Sequence, residues 1–310
     1  MTKILKIQDI TLEGPDLSGK TRLYCDLHKL TSFKWNIQDR SEISMAIYSE
    51  MYKRPDSHLW WEKINEKLGN LNHRYVLLIP DQQLLLERYS RRGDEIQDEK
   101  SLIDLHQRFA EAASKLSKFP TCIIVNVTRE NQSDVKHIVL NELNKIEQSS
   151  TLDITNQICN ISSASRNREV NGLCFTLDLT NWSNHDPSVL EYEKERQYYK
   201  RISEKYIKTI HDEIEGNNEY KLAQSPHLTR RFVYTDPSCI SYINTHIRDE
   251  KITMNVVCRS SDVKNTLYYD VSFLQILFDN IQKIFLKTCD ISRVIMKVRL
   301  DSAHIIGEVK

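Results

Sequence analysis

Eight consecutive residues constrain this chain more than any others: Gly14-Pro15-Asp16-Leu17-Ser18-Gly19-Lys20-Thr21. They fit G-x-x-x-x-G-K-[ST], and average composition puts a chance match in a chain this long at roughly one in a hundred. The physics of the pattern is specific. Backbone N–H groups of the loop and of the helix after it cradle phosphate oxygens. The lysine bridges the β- and γ-phosphates, and the threonine hydroxyl is placed to ligate Mg²⁺. Residues 4–12 alternate into a strand that runs into the loop, and the apolar spacing from Leu23 to Leu30 suits a helix. Strand, glycine-containing loop, helix is the context that supports such a loop.

The next 120 or so residues continue in the same style. Residues 41–54, 84–92, 100–117 and 132–147 read as helices. Tyr75-Val76-Leu77-Leu78-Ile79-Pro80 and Cys122-Ile123-Ile124-Val125-Asn126-Val127 are short apolar runs, as buried parallel strands are. Alternating strands and helices predict an α/β domain with a doubly wound parallel sheet over 1–148. A stretch rich in Ser, Thr, Asn and Gln reads as a linker over 149–168. Beyond it, 169–310 predicts an α+β domain with an antiparallel sheet: strands at 173–181, 239–248, 251–259 and 292–300, and helices at 188–213 and 270–288.

Lys+Arg and Asp+Glu balance at 43 each, so bulk charge favours neither nucleic acid nor an anionic membrane. No apolar run approaches the roughly 18 residues that would span a bilayer, and the N-terminus lacks a signal-peptide pattern. Seven cysteines without CxxC pairing point to free thiols in a reducing cytosol. Histidines and cysteines show no zinc-ligand spacing. Trp60-Trp61 reads as a core anchor or a helix-packing feature.

On three motifs the first half resembles the thymidylate kinase and deoxynucleoside kinase families, especially compact kinases of bacteriophages. The first is the loop itself, Gly14, Ser18, Gly19, Lys20 and Thr21, where the resemblance implies ATP binding with Mg²⁺ on Thr21. Its internal acid, Asp16, would contact the sugar or phosphate of the acceptor nucleotide. The second is Asp39-Arg40-Ser41: Asp39 would serve the metal or the acceptor oxygen, and Arg40 would clamp the acceptor phosphate. The third is Arg88-Tyr89-Ser90-Arg91-Arg92-Gly93, which resembles an arginine-rich lid whose Arg88 and Arg92 would stabilise the transferred phosphoryl group. Plainer readings stand beside these: Asp39 as an acid near a helix start, and the arginines as a solvated helix end. No acid follows 75–80 at the usual metal-binding position, and Asp81 is a weak substitute.

The second half resembles thymidylate synthase and the pyrimidine hydroxymethylases. The matching residues are Pro237-Ser238-Cys239, a hairpin, Cys258-Arg259-Ser260-Ser261-Asp262, and Ser302-Ala303-His304-Ile305. The resemblance makes Cys239 the thiolate that attacks a pyrimidine ring. It gives phosphate binding to Arg259, Ser260 and the pair Arg230 and Arg231, base reading to Asp270 and sugar binding to His304. It implies 5,10-methylenetetrahydrofolate, facing Glu204 and Asp262, and a homodimer through this domain. An aspartate at 270 can only accept when ionised, which leans towards the 4-amino group of cytosine. Departures are Ile240, Thr266, Tyr268 and Ile306 at positions where the family carries His, Gly, Pro and Tyr, and a nearly absent segment between Glu204 and Arg230.

Two functions are therefore expected. One is a bifunctional deoxynucleotide enzyme, phosphorylating a pyrimidine deoxynucleoside monophosphate and modifying C5 of dUMP or dCMP. The other is a kinase alone, with a non-catalytic nucleotide-binding or dimerising second half. A non-enzymatic nucleotide sensor is a third reading, from a different class.

Overall fold

In the computed structural model the described residues are 4–93, 97–165, 167–182, 197–216, 232–287 and 289–306. The chain divides into two units, Ile7–Glu147 and Gln148–Lys310 with Met1–Lys6.

The first unit is built on four strands: β1 (Asp9–Glu13), β2 (Asn36–Asp39), β3 (His73–Pro80) and β4 (Cys122–Val127). They lie in the order β2-β1-β3-β4, and every pair is parallel. Six helices connect and follow them: α1 (Lys20–Thr31), α2 (Glu42–Met51), α3 (Ser57–Leu68), α4 (Gln82–Arg92), α5 (Glu99–Leu116) and α6 (Val135–Glu147). Parallel strands need such crossovers, and the crossovers cover the faces of the sheet. All eight residues of β3 are accordingly buried. Because the strands are parallel, the carboxyl ends of β1, β2, β3 and β4 share one edge, where open α/β sheets place their ligands.

Gly14 explains how the loop leaves β1. Its φ is 144°, and a Cβ there would stand 2.4 Å from the Leu78 carbonyl oxygen of β3. Only glycine lets the loop pass the neighbouring strand so closely. Gly19, at φ 99°, then turns the chain into α1.

The second unit holds β5 (Glu169–Asp178), β6 (Val233–Thr235), β7 (Ile240–Arg248), β8 (Lys251–Cys258), β9 (Ser261–Asp262) and β10 (Arg293–His304). Its sheet runs β5-β10-β8-β7-β6, with β9 paired to β10. Three helices accompany it: α7 (Thr151–Ala164), α8 (Gln197–Gly216) and α9 (Leu267–Phe285). The hairpin β7–β8 turns at Asp249-Glu250 as expected, with both residues at positive φ, 49° and 55°.

Three expectations are corrected. The sheet is mixed, because β10 runs parallel to β8; α9 intervenes, and a crossover helix returns the chain in the same direction. The segment expected as a linker is mostly helix α7, started by a reciprocal capping box between Ser150 and Asp153. Ser150 caps it, and Ile154, Ile158 and Ile161 are buried together with Thr155 and Ser162. Residues 4–12 are not one strand: Leu5 bridges to Leu177 in the second unit, and β1 begins at Asp9. Trp60 and Trp61 are half-exposed on α3 rather than core residues; their indole N–H groups donate to Asp56 and Glu50, the latter on α2, which agrees with the helix-packing alternative. Among the described residues no helix is long and apolar enough to cross a membrane.

Candidate functional site

At the carboxyl edge of the first sheet the loop folds around its own lysine. Lys20 is 4% exposed. Its ammonium donates to the carbonyls of Gly14 and Pro15 at 2.7 Å each, and to Ser18 Oγ at 3.2 Å. Burial, aided by the nearby Arg40, pulls its pKa down to about 8. The lysine thus sits where an anion would be welcome, held by groups that a phosphate can replace.

Next to it, Thr21 Oγ1 donates to Asp39 Oδ2 at 2.8 Å. Thr21 lies in the first turn of α1 and Asp39 ends β2, so a hydroxyl and a carboxylate from separate elements meet at the loop mouth. Both residues are exposed. A hydroxyl beside a carboxylate is the hard-oxygen donor set that Mg²⁺ accepts, with water and phosphate completing its shell. The residues fit that ion. Among the described residues no cluster of three or more His, Cys, Asp or Glu side chains forms a metal site of another kind.

Asp16 and Arg40 also meet. Arg40 Nη2 donates to Asp16 Oδ1 in an ion pair, and Tyr48 on α2 donates its hydroxyl to Asp16 Oδ2 at 2.5 Å. Burial pulls the Arg40 pKa down, but Asp16 and Tyr48 outweigh it and the guanidinium stays above its ordinary value. Burial and the Asp16 bond push the Tyr48 hydroxyl up. Sequence reading named Asp16 and Arg40 separately and gave no role to Tyr48, which lies eight residues beyond Arg40 on the helical run.

Glu13 was missed altogether. It is fully buried at the end of β1. It accepts from the Ser41 backbone N–H at 2.9 Å and from Ser44 Oγ. Burial pushes its carboxyl up to about 7, against the pull of Ser44 and Lys20. An acid immediately before the loop, with serines at 41 and 44 beyond, was the available signal.

The arginines of α4 divide. Arg88 donates to the Leu17 carbonyl at 2.8 Å and to Gln132 Oε1 at 3.2 Å. It therefore braces the loop at Leu17, a non-glycine residue at φ 62°. Arg92 is exposed in the last turn of α4, before residues 94–96, which lie outside the described set. Beside Arg88, a recess is lined by Gly19, Arg22 and Leu23 of the loop and α1, and by Val127, Gln132 and Lys136. Asp81 precedes α4 and is exposed.

In the second unit several named residues gather at one end of the sheet. Cys239 is exposed just before β7, and its carbonyl accepts the Arg259 N–H at 2.8 Å. Ser260 follows, and Asp262 pairs in register with His304. The Asp262 carboxylate closes the turn into α9, accepting from Lys264 N at 3.2 Å and Asn265 Nδ2 at 2.6 Å. His304 Nδ1 lies 3.1 Å from Ser302 Oγ. Tyr198 on α8 accepts the Ile240 N–H at 2.7 Å, and burial pushes its hydroxyl up to about 12.

Asp270 is placed differently from the expectation. It is 6% exposed. Its oxygens accept from Tyr199 at 2.5 Å and from Ser261 at 3.3 Å. Both are occupied by the protein, and the carboxylate acts as an internal tie. Glu204 is exposed and stands 3.9 Å from Lys200 on the same helix. The buried stripe of α8 is Tyr199, Ile202, Tyr206 and Ile210, which turns Glu204 outward. Glu204 thus lies on the exposed face of α8, and the Asp262 oxygens are engaged in the turn. Arg230 and Arg231 lie outside the described residues.

No family model matches the chain, and no curated protein matches it. Among solved structures the chain is similar to thymidylate synthase from T4 phage, at 12% identity over 44% of this chain and 67% of that chain, with a TM-score of 0.30. A likeness of that size does not establish a shared fold.

Proposed function

We propose that the Ile7–Glu147 unit is an ATP-dependent phosphotransferase acting on a pyrimidine deoxynucleoside monophosphate, and that the second unit is a nucleotide-binding or dimerising module. The Thr21–Asp39 bond at 2.8 Å, beside the enclosed Lys20 ammonium, carries the reading. It puts the groups that phosphoryl transfer needs at the mouth of one loop.

The loop amides and the start of α1 hold the donor phosphates. Lys20 leaves the Gly14 and Pro15 carbonyls and neutralises the β- and γ-oxygens. Thr21 and Asp39 would hold Mg²⁺, which would supply charge neutralisation for the transfer. Arg40 exchanges Asp16 for the acceptor phosphate, because its fork matches either anion. Asp16, released, accepts from a sugar hydroxyl together with Tyr48. An acceptor phosphate oxygen then bonds to the γ-phosphorus as the bond to the β,γ-bridging oxygen breaks, leaving ADP and a deoxynucleoside diphosphate. Arg88 braces Leu17 and keeps the loop in shape, and the recess beside it takes the donor base.

The pyrimidine preference and the dimer rest on the resemblance of the second half. A physical argument supports the dimer. Asn255 and Val257 of β8 are only half-buried, although β8 pairs in parallel with β10 and strands so paired are ordinarily covered on both faces.

The test is ADP formation from ATP and Mg²⁺ with dTMP, dUMP and dCMP. Turnover with one of them, falling by about a hundredfold or more in Lys20→Ala, is expected. Absence of turnover with every deoxynucleoside monophosphate sinks the reading. For the second unit the readout is tritium release from C5 of dUMP or dCMP with methylenetetrahydrofolate. None above background is expected, and release that disappears in Cys239→Ser would restore one-carbon chemistry.

A further inference from the structure

We propose that Glu13 is the positioning residue of the acceptor clamp: from the end of β1 it caps helix α2 in place of a residue of that helix, and so holds Asp39 and Arg40 at the loop mouth. The proposal rests on the phosphotransferase reading and extends it to a residue that touches neither nucleotide.

Helix α2 begins at Glu42, and Ser41 at its N-cap makes no side-chain cap bond. The Ser41 hydroxyl is turned instead to the Glu42 carboxylate. The first N–H groups of a helix need partners from elsewhere. Glu13 supplies them from another strand, taking the Ser41 N–H at 2.9 Å and the Ser44 hydroxyl. A carboxylate is favourable at that end of a helix.

The corner it secures is an unusual one. Arg40 takes φ 68°, a conformation that L-residues seldom adopt. Its own N–H donates to the Leu12 carbonyl at 3.0 Å. The chain thus leaves β2 at Asp39, turns at Arg40, and is anchored on both sides of the turn to adjacent residues of β1, Leu12 and Glu13. Strained corners persist where the surroundings over-determine them. Here the strain is placed between the residue that meets Thr21 and the residue that meets Asp16. A carboxylate with no solvent access is retained only where donors are fixed around it, and these donors all belong to the corner.

The test compares the full chain with Glu13→Ala, Glu13→Gln and Ser44→Ala. Initial rates are measured with ATP and a deoxynucleoside monophosphate, ATP binding by calorimetry, and amide exchange over residues 41–48. In Glu13→Ala the acceptor KM is expected to rise by about tenfold, the effect of losing a helix cap, with kcat lower and ATP affinity unchanged. Amides at Ser41–Met45 are expected to exchange faster. Glu13→Gln should recover part of the loss, since its amide oxygen still accepts the Ser41 N–H. Ser44→Ala should shift the acceptor KM in the same direction by less, and it decides the matter with Glu13→Gln if the alanine variant does not fold. Unchanged exchange and unchanged acceptor KM in these variants overturn the proposal. Equal losses of ATP and acceptor affinity also overturn it, because they report a general collapse of the loop. If the wild-type chain turns over no deoxynucleoside monophosphate, the phosphotransferase reading fails alone, and the exchange pattern still decides the role of Glu13.

Discussion

The Thr21 hydroxyl donates to the Asp39 carboxylate at 2.8 Å, joining the first turn of α1 to the last residue of β2. Both residues lie at the carboxyl edge of a parallel sheet, and the bond places two hard-oxygen donors side by side. If they share one Mg²⁺, Thr21→Ala and Asp39→Asn should each raise the Mg²⁺ concentration for half-maximal ADP formation, by about tenfold. The double variant should cost less than the sum, since the second change removes a ligand from a site already lost. Additive effects in a Mg²⁺ titration would mean that the two residues act apart.

Glu13 should leave a signature in the pH dependence of stability. Its carboxyl is raised from 4.5 to about 7 in the folded chain, chiefly by burial. Between those pH values the unfolded chain has released this proton and the native chain has kept it. The native state binds more protons, so stability from this group falls as pH rises through that window and levels off above it. The decline is on the order of 3 kcal/mol. Glu13→Gln should flatten it, which urea unfolding at pH 5 and pH 8 would show. Lys20, lowered to about 8, acts in the separate window above that value and in the opposite direction, adding stability as pH rises.

Asp270 should matter to stability before it matters to any ligand. Asp270→Ala would leave the buried Tyr199 hydroxyl and the Ser261 hydroxyl short of an acceptor. A loss of about 2–4 kcal/mol in urea unfolding of the second unit is expected. Asp270→Asn should cost less, because its side-chain oxygen still accepts from Tyr199. A neutral alanine substitution would return Asp270 to the role of a base-reading residue.

The β7–β8 turn is open to improvement. Asp249 and Glu250 both sit at positive φ, and two-residue hairpin turns of this kind favour Asn-Gly. Replacing Asp249-Glu250 by Asn-Gly should stabilise the second unit by about 1 kcal/mol. The denaturant midpoint would rise without a change in slope, whereas a fall would place the turn in another class.

Much of the fold could be read from the chain because its causes are local. The buried strand 75–80, the hairpin at 249–250 and the loop at 14–21 are written in contiguous residues whose spacing sets their backbone. The parallel entry of β10 and the helical character of 151–164 could not be read the same way. The first depends on where α9 returns the chain, and the second on isoleucines at 154, 158 and 161 that stand among polar neighbours.

The amino-acid order alone determined the loop, since Gly14 and Gly19 supply the positive φ that its turns need and Lys20 follows Gly19 whatever lies beyond. It also placed Asp16, Thr21, Asp39 and Arg40 on the list of chemical groups. Only the tertiary structure decided how they combine: Thr21 with Asp39, Arg40 with Asp16 and Tyr48, Glu13 beneath the corner, and Asp270 withdrawn into the second unit. The physical reason is distance. A loop's shape follows from neighbouring dihedrals, whereas a hydrogen bond between residues far apart in sequence exists only once strand register and helix packing have brought its atoms within about 3 Å.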